Sequence, residues 1–152
     1  MTPSLIRHAV VTERILWIKE MMNNIRSLPL RSFEQFISDA RNPAAAESYL
    51  RRALEAVHDL GRHILSKAFA LTPSEYKDVA NQLVKVGILT AEEGKLLRQL
   101  AGYRNRMVHF YNEITHRELY EICTLQLSDI ELILDLIITW LKLHPEKLDH
   151  SI

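Results

Sequence analysis

The sequence predicts an all-α protein, an antiparallel bundle of five to six helices. Its apolar residues recur at spacings of three and four, which align on one face of an α-helix, and no segment alternates apolar and polar residues for long enough to form a strand. The 152 residues include only four Gly and five Pro, whereas a turn-rich all-β fold needs more of both. The composition, 47% apolar and 25% charged, is typical of one globular domain.

The first half of the chain predicts three helices. The first follows a 4-3-4-3 apolar spacing over residues 11–25 and ends before Pro29, and a short helix can follow within residues 31–40. Asn42 and Pro43 indicate the start of the third helix, as a cap and a proline in the first turn. Its apolar stripe consists of Ala46, Leu50, Ala53, Val57, Leu60 and Ile64.

Two further helices have clear boundaries. One is predicted over residues 76–86 and stops at Gly87, a residue that favours the left-handed backbone found after many helices. The next helix opens with a capping box formed by Thr90 and Glu93. Its apolar face carries Leu96, Leu97, Leu100 and Tyr103.

The last helix is predicted to run from a second capping box, Thr115 and Glu118, to about Leu143. Its apolar residues cover most faces rather than one stripe, so we expect it to be buried on more than one side. Because few other helices are available, we predict that a second copy of the chain covers one side, in a homodimer. Residues 1–144 then form a single helical domain, and residues 145–152 form a C-terminal tail.

The composition excludes several classes of protein. The single cysteine, Cys123, excludes an intramolecular disulfide framework and a CxxC metal or redox site. The first residues carry charges too early for a signal peptide. The longest apolar run, residues 130–143, spans about 14 residues, whereas a membrane-spanning helix needs roughly 20. We therefore expect a soluble, cytoplasmic protein with no membrane partner.

The charges are unevenly distributed along the chain, although 19 basic and 19 acidic residues give a formal net charge of zero. Residues 94–112 contain no acid and have a net charge of +4, which comes from Lys95, Arg98, Arg104 and Arg106. Residues 113–150 have a net charge of −5. A compact basic block therefore precedes an acidic helix.

Known phosphate-binding and metal-binding motifs are missing from the sequence. Gly94 and Lys95 suggest a phosphate loop, but Leu96 follows where Ser or Thr is required. His58 and His63 are five residues apart and so lie on different faces of a helix, which does not suit a shared metal. We expect no metal and no cofactor.

Acidic and basic side chains also alternate on the third helix, where Glu47, Glu55 and Asp59 lie among Arg51, Arg52 and Arg62. This pattern is typical of a solvated helix face with ion pairs between residues four apart. No pair of these carboxylates is singled out for glycosidase-type acid–base chemistry. We interpret them as a solvated face.

The end of the fifth helix concentrates groups suited to phosphodiester chemistry. The guanidinium groups of Arg104 and Arg106 can bind phosphate, and the imidazole of His109 can move a proton near neutral pH. Asn105 adds an amide in the same short segment. The alternative from the residues alone is a basic helix end that complements the helix dipole, with an unrelated histidine.

This segment resembles a known family. Arg104 followed by Asn105, then His109 and Tyr111, matches the RX4HXY pattern of the HEPN superfamily (higher eukaryotes and prokaryotes nucleotide-binding domain). The chain is similar in particular to HepT-like toxins. Two further stretches resemble that family in the same order, FEQFISDARN at residues 33–42 and SYLRRALEAVHDLGRHI at residues 48–64.

The resemblance implies a HEPN-like fold and a homodimeric, metal-independent ribonuclease of a toxin–antitoxin pair. In this chain Arg104 would orient the scissile phosphate, His109 would act as general acid or base, and Asn105 would support the site. The RNA's own 2′-OH would attack the phosphorus and leave a cyclic phosphate. We expect further phosphates of the RNA to bind to Lys95, Arg98 and Arg106.

The spacing of the motif raises a geometric question. Residues five apart on a helix point about 140° away from each other. Arg104 and His109 can therefore converge only if the helix loosens around Val108, or if each meets a residue of a second subunit. We expect the second arrangement, in which the two motifs meet across a dimer.

The resemblance also implies a partner, an MNT-type nucleotidyltransferase antitoxin that transfers AMP to the motif tyrosine. Tyr111 occupies that position. A phosphodiester on Tyr111 would put an anion beside Arg104, in the place of an RNA phosphate. Tyr103 lies on the apolar side of its helix and is predicted to belong to the core.

Two other functions stay open from the sequence. The chain can be a non-catalytic HEPN module that assembles with a nucleotidyltransferase or binds a nucleotide. It can also be a purely structural bundle, in which case the motif is a coincidence. The sequence does not indicate which RNA is cut.

Overall fold

The computed structural model describes residues 2–109 and 114–150, and within them it contains seven α-helices and one short 3₁₀-helix. The only β pairing in this part of the chain is an isolated bridge between Ile6 and Leu148. The predicted all-α class is therefore confirmed. The helices are α1 (His8–Arg26), α2 (Phe33–Ile37), α3 (Arg41–Phe69), α4 (Tyr76–Lys85), α5 (Ala91–Val108), α6 (His116–Leu125) and α7 (Leu127–Leu143), followed by the 3₁₀-helix Pro145–Lys147.

The prediction of one continuous last helix is wrong, and this accounts for part of the larger helix number. The chain breaks at Gln126 (φ −119°, ψ 5°), between α6 and α7. The hydroxyl of Thr124 donates to the carbonyl oxygen of Tyr120 (2.8 Å), a bond that competes with helix hydrogen bonding and favours bending. The break allows the apolar faces of both helices to reach the same core.

The long helix α3 is the centre of the fold, because it packs against all the other α-helices. Its apolar stripe is buried as the spacing predicts, and Leu50, Leu60 and Ile64 have no exposed surface. Gly61 allows α4 to approach closely, since a Cβ atom there would lie 3.0 Å from Cγ1 of Val79. The position of α4 against α3 matters for the site described below.

Two of the predicted helix-boundary signals hold, and a third does not. Gly87 has the predicted left-handed backbone (φ 84°) after α4, and Thr90 and Glu93 form both bonds of the predicted capping box at α5. Asn42, however, lies inside α3 instead of capping it. The N-cap residue is Ala40, which has no capping side chain, and the carboxylate of the preceding Asp39 accepts from the backbone N–H of Arg41 at 2.9 Å.

The apolar surface of α7 is largely covered within one chain. Six of its apolar residues are buried: Leu127, Ile130, Ile133, Leu134, Ile137 and Leu141. Leu136, Ile138 and Trp140 are partly buried against the same core, whereas Leu132 is 45% exposed. The other helices of the chain therefore account for most of the burial that α7 needs, and the homodimer stays a prediction.

The segment predicted as a C-terminal tail contacts the start of the chain. The backbone N–H of Ile6 donates to the carbonyl oxygen of Lys147 (2.7 Å), and that of Asp149 donates to the carbonyl oxygen of Ile6 (2.9 Å). The side chain of Ile6 is fully buried. Residues 145–149 are thus tied to the body of the fold.

No helix in residues 2–109 or 114–150 combines the length and the apolar character that crossing a membrane requires.

Replacing either of two glycines of α5 by alanine should change the free energy of unfolding, in opposite directions. A Cβ atom at Gly94 would overlap Cγ2 of Val84 on α4, while one at Gly102 meets nothing within 4 Å. We expect Gly94→Ala to lower the free energy of unfolding by about 1–3 kcal/mol through overpacking. Gly102→Ala should raise it by up to about 1 kcal/mol, because alanine favours the helix. Urea unfolding followed by circular dichroism measures both, and equal effects would contradict the close contact between α4 and α5.

Candidate active site

The end of α5 brings the motif residues together. The helix stops at Val108, and His109 follows as its C-cap with an extended backbone (φ −95°, ψ 115°). Arg104, Asn105 and His109 consequently line one cavity. The helix therefore ends before His109, and this allows Arg104 and His109 to line the same cavity within one subunit. The arrangement that we expected, in which the two motifs meet across a dimer, stays a prediction.

This cavity, here called the motif cavity, has a volume of about 520 Å³. Three parts of the fold form it: α3, the connection from α3 to α4 with the first residue of α4, and the end of α5. The side chains that line it are those of Arg62, Ser74, Glu75, Tyr76, Arg104, Asn105 and His109. Most are polar or charged, and His109 is exposed to solvent.

The guanidinium group of Arg104 is held along one edge. Its Nε and Nη2 atoms donate to Oε2 of Glu55, at 3.3 Å and 2.8 Å. The carbon of the guanidinium lies 4.2 Å from the centroid of the Tyr76 ring, a cation–π contact. The remaining nitrogen, Nη1, is 3.5 Å from Oδ1 of Asn105. One edge is therefore bound to a carboxylate, and Nη1 lies beside the next motif residue.

Tyr76 itself rests on a buried histidine. The rings of His58 and Tyr76 meet edge-on with centroids 5.0 Å apart, and Nδ1 of His58 is 2.6 Å from the carbonyl oxygen of Leu54. Burial lowers the pKa of the His58 imidazole to about 4, so the ring is neutral at neutral pH. Burial also raises the pKa of the Tyr76 hydroxyl. His58, considered from the sequence only as a metal ligand, supports the aromatic ring beneath Arg104.

Glu55 is a site residue that sequence reasoning missed. The predicted ion pair with Arg51 exists at 2.8 Å, but the other carboxylate oxygen binds Arg104, 49 residues away. The side chains of Glu55 and Arg104 are only 25% and 20% exposed. The interpretation of Glu55 as part of a solvated face is therefore wrong. The sequence held one signal that Glu55 belongs to a site. On the third helix, opposite the apolar stripe, a second stripe consists of charged residues only: Arg52, Glu55, Asp59 and Arg62.

The other cations of the basic block lie outside the motif cavity. Arg106 forms a two-bond ion pair with Glu118 (2.7 Å and 2.8 Å), and Arg98 donates to Oδ1 of Asn81 at 2.8 Å. Lys95 is exposed two turns of α5 before the motif. The basic block contains no acid in sequence, but in the fold Arg104 and Arg106 are paired with acids from other helices. Binding of RNA phosphates by these three residues stays a prediction.

Glu118 also changes one predicted cap. The hydroxyl of Thr115 accepts from the N–H of Glu118 at 3.1 Å, as a capping box requires. Both carboxylate oxygens of Glu118, however, bind Arg106, which replaces the reciprocal bond to the backbone of Thr115. The result is a tie between the end of α5 and the start of α6. Tyr111, the predicted modification site, lies outside the described residues.

Nothing in the described ranges forms a group of three or more His, Cys, Asp or Glu side chains that could hold a metal ion. The single cysteine, Cys123, is buried, and burial raises the pKa of its thiol to about 12. The groups in the motif cavity can supply hydrogen bonds, positive charge and proton transfer by the imidazole. This chemistry suits an anionic phosphodiester.

Comparison with known proteins identifies the family. Residues 18–137 match the family model described as Ribonuclease HepT-like. The chain belongs to the HepT-like ribonuclease family. This HepT-like chain is also 25% identical over 115 residues to the tRNA nuclease HepT of Aphanizomenon flos-aquae, a match that covers 76% of this chain and 78% of the relative.

Solved structures have the same fold. The HEPN toxin of Shewanella oneidensis, solved in its tri-AMPylated form in complex with an MNT antitoxin, has a TM-score of 0.77 and 24% identity, over 86% of this chain and 97% of that one. A cytosolic protein of unknown function from Bacillus subtilis, YutE, has a TM-score of 0.73 and 19% identity, over 93% of both chains. At these identities the likeness shows the fold alone.

The contact between Glu55 and Arg104 predicts a measurable coupling in stability. Because both side chains are mostly buried and charged, we expect a double-mutant cycle with Glu55→Ala and Arg104→Ala to give about 1–2 kcal/mol of coupling in the free energy of unfolding.

The control is the pair of Glu13 and Arg14, whose side chains are 72% and 36% exposed. Its coupling should be at most about 0.5 kcal/mol, because solvent screens it. Equal coupling for both pairs would show that Glu55 does not hold Arg104 in solution.

Proposed function

We propose that this HepT-like chain is the toxin of a toxin–antitoxin pair and a metal-independent endoribonuclease. The observation that supports it best is the grouping of Arg104, Asn105 and His109 around one open cavity at the end of α5. Membership of the HepT-like ribonuclease family, and the name of the curated relative, agree with this chemistry. The proposed site of action is the cytoplasm, where the RNA substrate is found.

In the proposed reaction the 2′-OH of the RNA attacks the adjacent phosphorus. A bond forms between O2′ and phosphorus, and the bond from phosphorus to the 5′ oxygen breaks, which leaves a 2′,3′-cyclic phosphate and a 5′-OH. A neutral His109 takes the proton of the 2′-OH, and a protonated His109 gives one to the leaving oxygen. Nη1 of Arg104, beside Asn105, neutralises the charge that develops on the phosphate.

A homodimer fits this reaction because it needs an acid and a base at once. One chain provides a single His109, and that side chain is exposed at the mouth of the motif cavity. The neighbouring Val108 is 43% exposed, an apolar surface that a second copy can cover. The proposed dimer therefore pairs two motif cavities, so that one histidine acts as base and its counterpart as acid.

The proposed activity is tested by cleavage of total RNA in the presence of EDTA. Wild-type protein should cut RNA, and His109→Ala should reduce the rate by about 10²–10⁴-fold, which is the typical contribution of a placed general acid or base. Because His109 is exposed, the thermal stability of this variant should stay close to that of the wild type.

His150→Ala is the matched control, since His150 is also exposed and lies far along the chain from the motif. It should cleave at the wild-type rate. Intact RNA at a high dose of wild-type protein, or full activity of His109→Ala, would contradict the proposed reaction.

We further propose that an MNT-type nucleotidyltransferase antitoxin neutralises the toxin by transferring AMP to Tyr111. The added phosphodiester is an anion that competes with RNA for the guanidinium of Arg104. Co-expression with a transferase encoded by the neighbouring gene should raise the intact mass by whole AMP units and abolish RNA cleavage. Tyr111→Phe should prevent the addition.

Tyr103→Phe is the control for this experiment. Tyr103 is partly buried against the core, and its hydroxyl accepts a hydrogen bond from Gln99 at 3.0 Å. This variant should still be modified. An unchanged mass of the wild-type protein in a stable complex with the transferase would contradict the proposed modification.

One observation favours a second function, a non-catalytic module that assembles with a nucleotidyltransferase or binds a nucleotide. The charge of Arg104 is partly balanced by Glu55, a carboxylate that it shares with Arg51, and this lowers the positive potential of the motif cavity. A stable, unmodified complex that leaves RNA intact would support this function over the nuclease.

A further inference from the structure

A second cavity shares Tyr76 with the motif cavity, and neither the motif nor the proposed reaction uses it. Here called the Trp17 cavity, it has a volume of about 310 Å³, at the lower end of the roughly 300–1,000 Å³ of small-ligand sites. Arg14 and Trp17 of α1, Arg52, Glu55 and Asp59 of α3, and Tyr76 of α4 line it. Tyr76 lines both cavities.

Charged side chains also connect the two cavities. Glu55 lines the Trp17 cavity, and its carboxylate holds Arg104 in the motif cavity. The guanidinium groups of Arg62 and Arg104 both lie over the ring of Tyr76, at 5.4 Å and 4.2 Å from its centroid. A polyanionic chain that reaches Arg104 can therefore continue over Tyr76 into the Trp17 cavity.

Trp17 gives this cavity an aromatic surface. The residue is 38% exposed although tryptophan is usually well buried, and it lines the cavity together with two arginines from different helices, Arg14 and Arg52. Arg14 forms an ion pair with the exposed Glu13 and also interacts electrostatically with Asp59, and Arg52 makes no ion pair within the described ranges. An indole that shares a cavity with guanidinium groups is suited to stack on a nucleobase while those groups contact phosphates.

Asp59 supplies an acceptor for the edge of a base. Its ion-pair partner in the described chain is Arg62, at 3.9 Å from Oδ1, a distance beyond a hydrogen bond. The charge of Arg14 also favours the carboxylate, and no hydrogen bond reaches it in this part of the protein. A carboxylate with free lone pairs beside an aromatic ring can accept from an exocyclic amine, as on cytosine, adenine or guanine.

We propose that the Trp17 cavity binds the base of the nucleotide next to the scissile phosphate in single-stranded RNA. This inference rests on the proposed ribonuclease function and names a subsite of its substrate. The base stacks on Trp17, Asp59 accepts a hydrogen bond from its exocyclic amine, and the strand crosses Tyr76 to reach Arg104. Bases with an exocyclic amine are therefore bound in preference to uracil.

Binding is tested in a catalytically silent protein. The chain has two tryptophans, so His109→Ala combined with Trp140→Phe leaves Trp17 as its only indole. Trp140 lies in α7, where it stacks on His144, the residue that follows this helix, and it does not line the Trp17 cavity. Titration with a single-stranded RNA trinucleotide should quench the remaining fluorescence in a saturable way. An unchanged signal up to the concentration at which wild-type protein cleaves would overturn the subsite.

Cleavage kinetics give a second measurement that does not depend on the Trp140 variant. Trp17→Ala should raise KM for short RNA substrates by about 5–100-fold, the equivalent of one stacked base, with a smaller effect on kcat. Asp59→Asn should reduce the preference for cytosine over uracil next to the cut by about 5-fold or more. Unchanged KM in the first variant and unchanged preference in the second would overturn the proposal while the nuclease function stands.

Leu16→Ala separates this subsite from a protein interface on the same face of α1. Leu16 is 62% exposed beside Trp17 but does not line the Trp17 cavity. An RNA subsite predicts that Leu16→Ala keeps the wild-type KM. If Leu16→Ala and Trp17→Ala both change the oligomeric state and neither changes KM, the face binds protein and the proposal fails. Saturable quenching in a protein that never cleaves RNA would support the subsite and reject the nuclease function.

Discussion

The ion pair between Glu55 and Arg104 fixes the geometry on which the candidate site depends. It joins the central helix α3 to the end of α5, and the ring of Tyr76 from α4 lies against the same guanidinium group. Three helices therefore meet at one charged side chain. Since Arg104 is only 20% exposed, a defined partner is needed to compensate for the water it loses.

The same pair limits the electrostatic character of the site. A carboxylate bound to one edge of a guanidinium cancels much of its charge at a distance but keeps its plane and its free nitrogen in a defined place. The motif cavity is therefore better described as an ordered array of hydrogen-bond donors than as a patch of strong positive potential. Recognition in such a site depends on short-range geometry more than on long-range attraction.

Local features of the fold were predictable from sequence, and long-range ones were not. Thr90 and Glu93 cap α5 as predicted, because both bonds of a capping box form within four residues. The break at Gln126 had no signal, since apolar residues keep their helical spacing across it. Within the candidate site, Arg104 and His109 were singled out by the acid-free block that contains them and by the resemblance to the HEPN pattern. Glu55 was missed because its pairing with Arg104 depends on how α3 packs against α5.

The ion pair between Arg106 and Glu118 has a consequence for the position of the end of α5. It fastens the last turn of α5 to the first turn of α6 with two short bonds, and Thr115 caps α6 independently. The end of α5 and the start of α6 are therefore anchored by contacts that lie within the part of the chain that the structure describes. The end of α5, which carries Arg104 and Asn105, is therefore held from two directions, by Glu55 of α3 and, through Arg106, by Glu118 of α6, so a change in either acid would shift the residues that line the motif cavity.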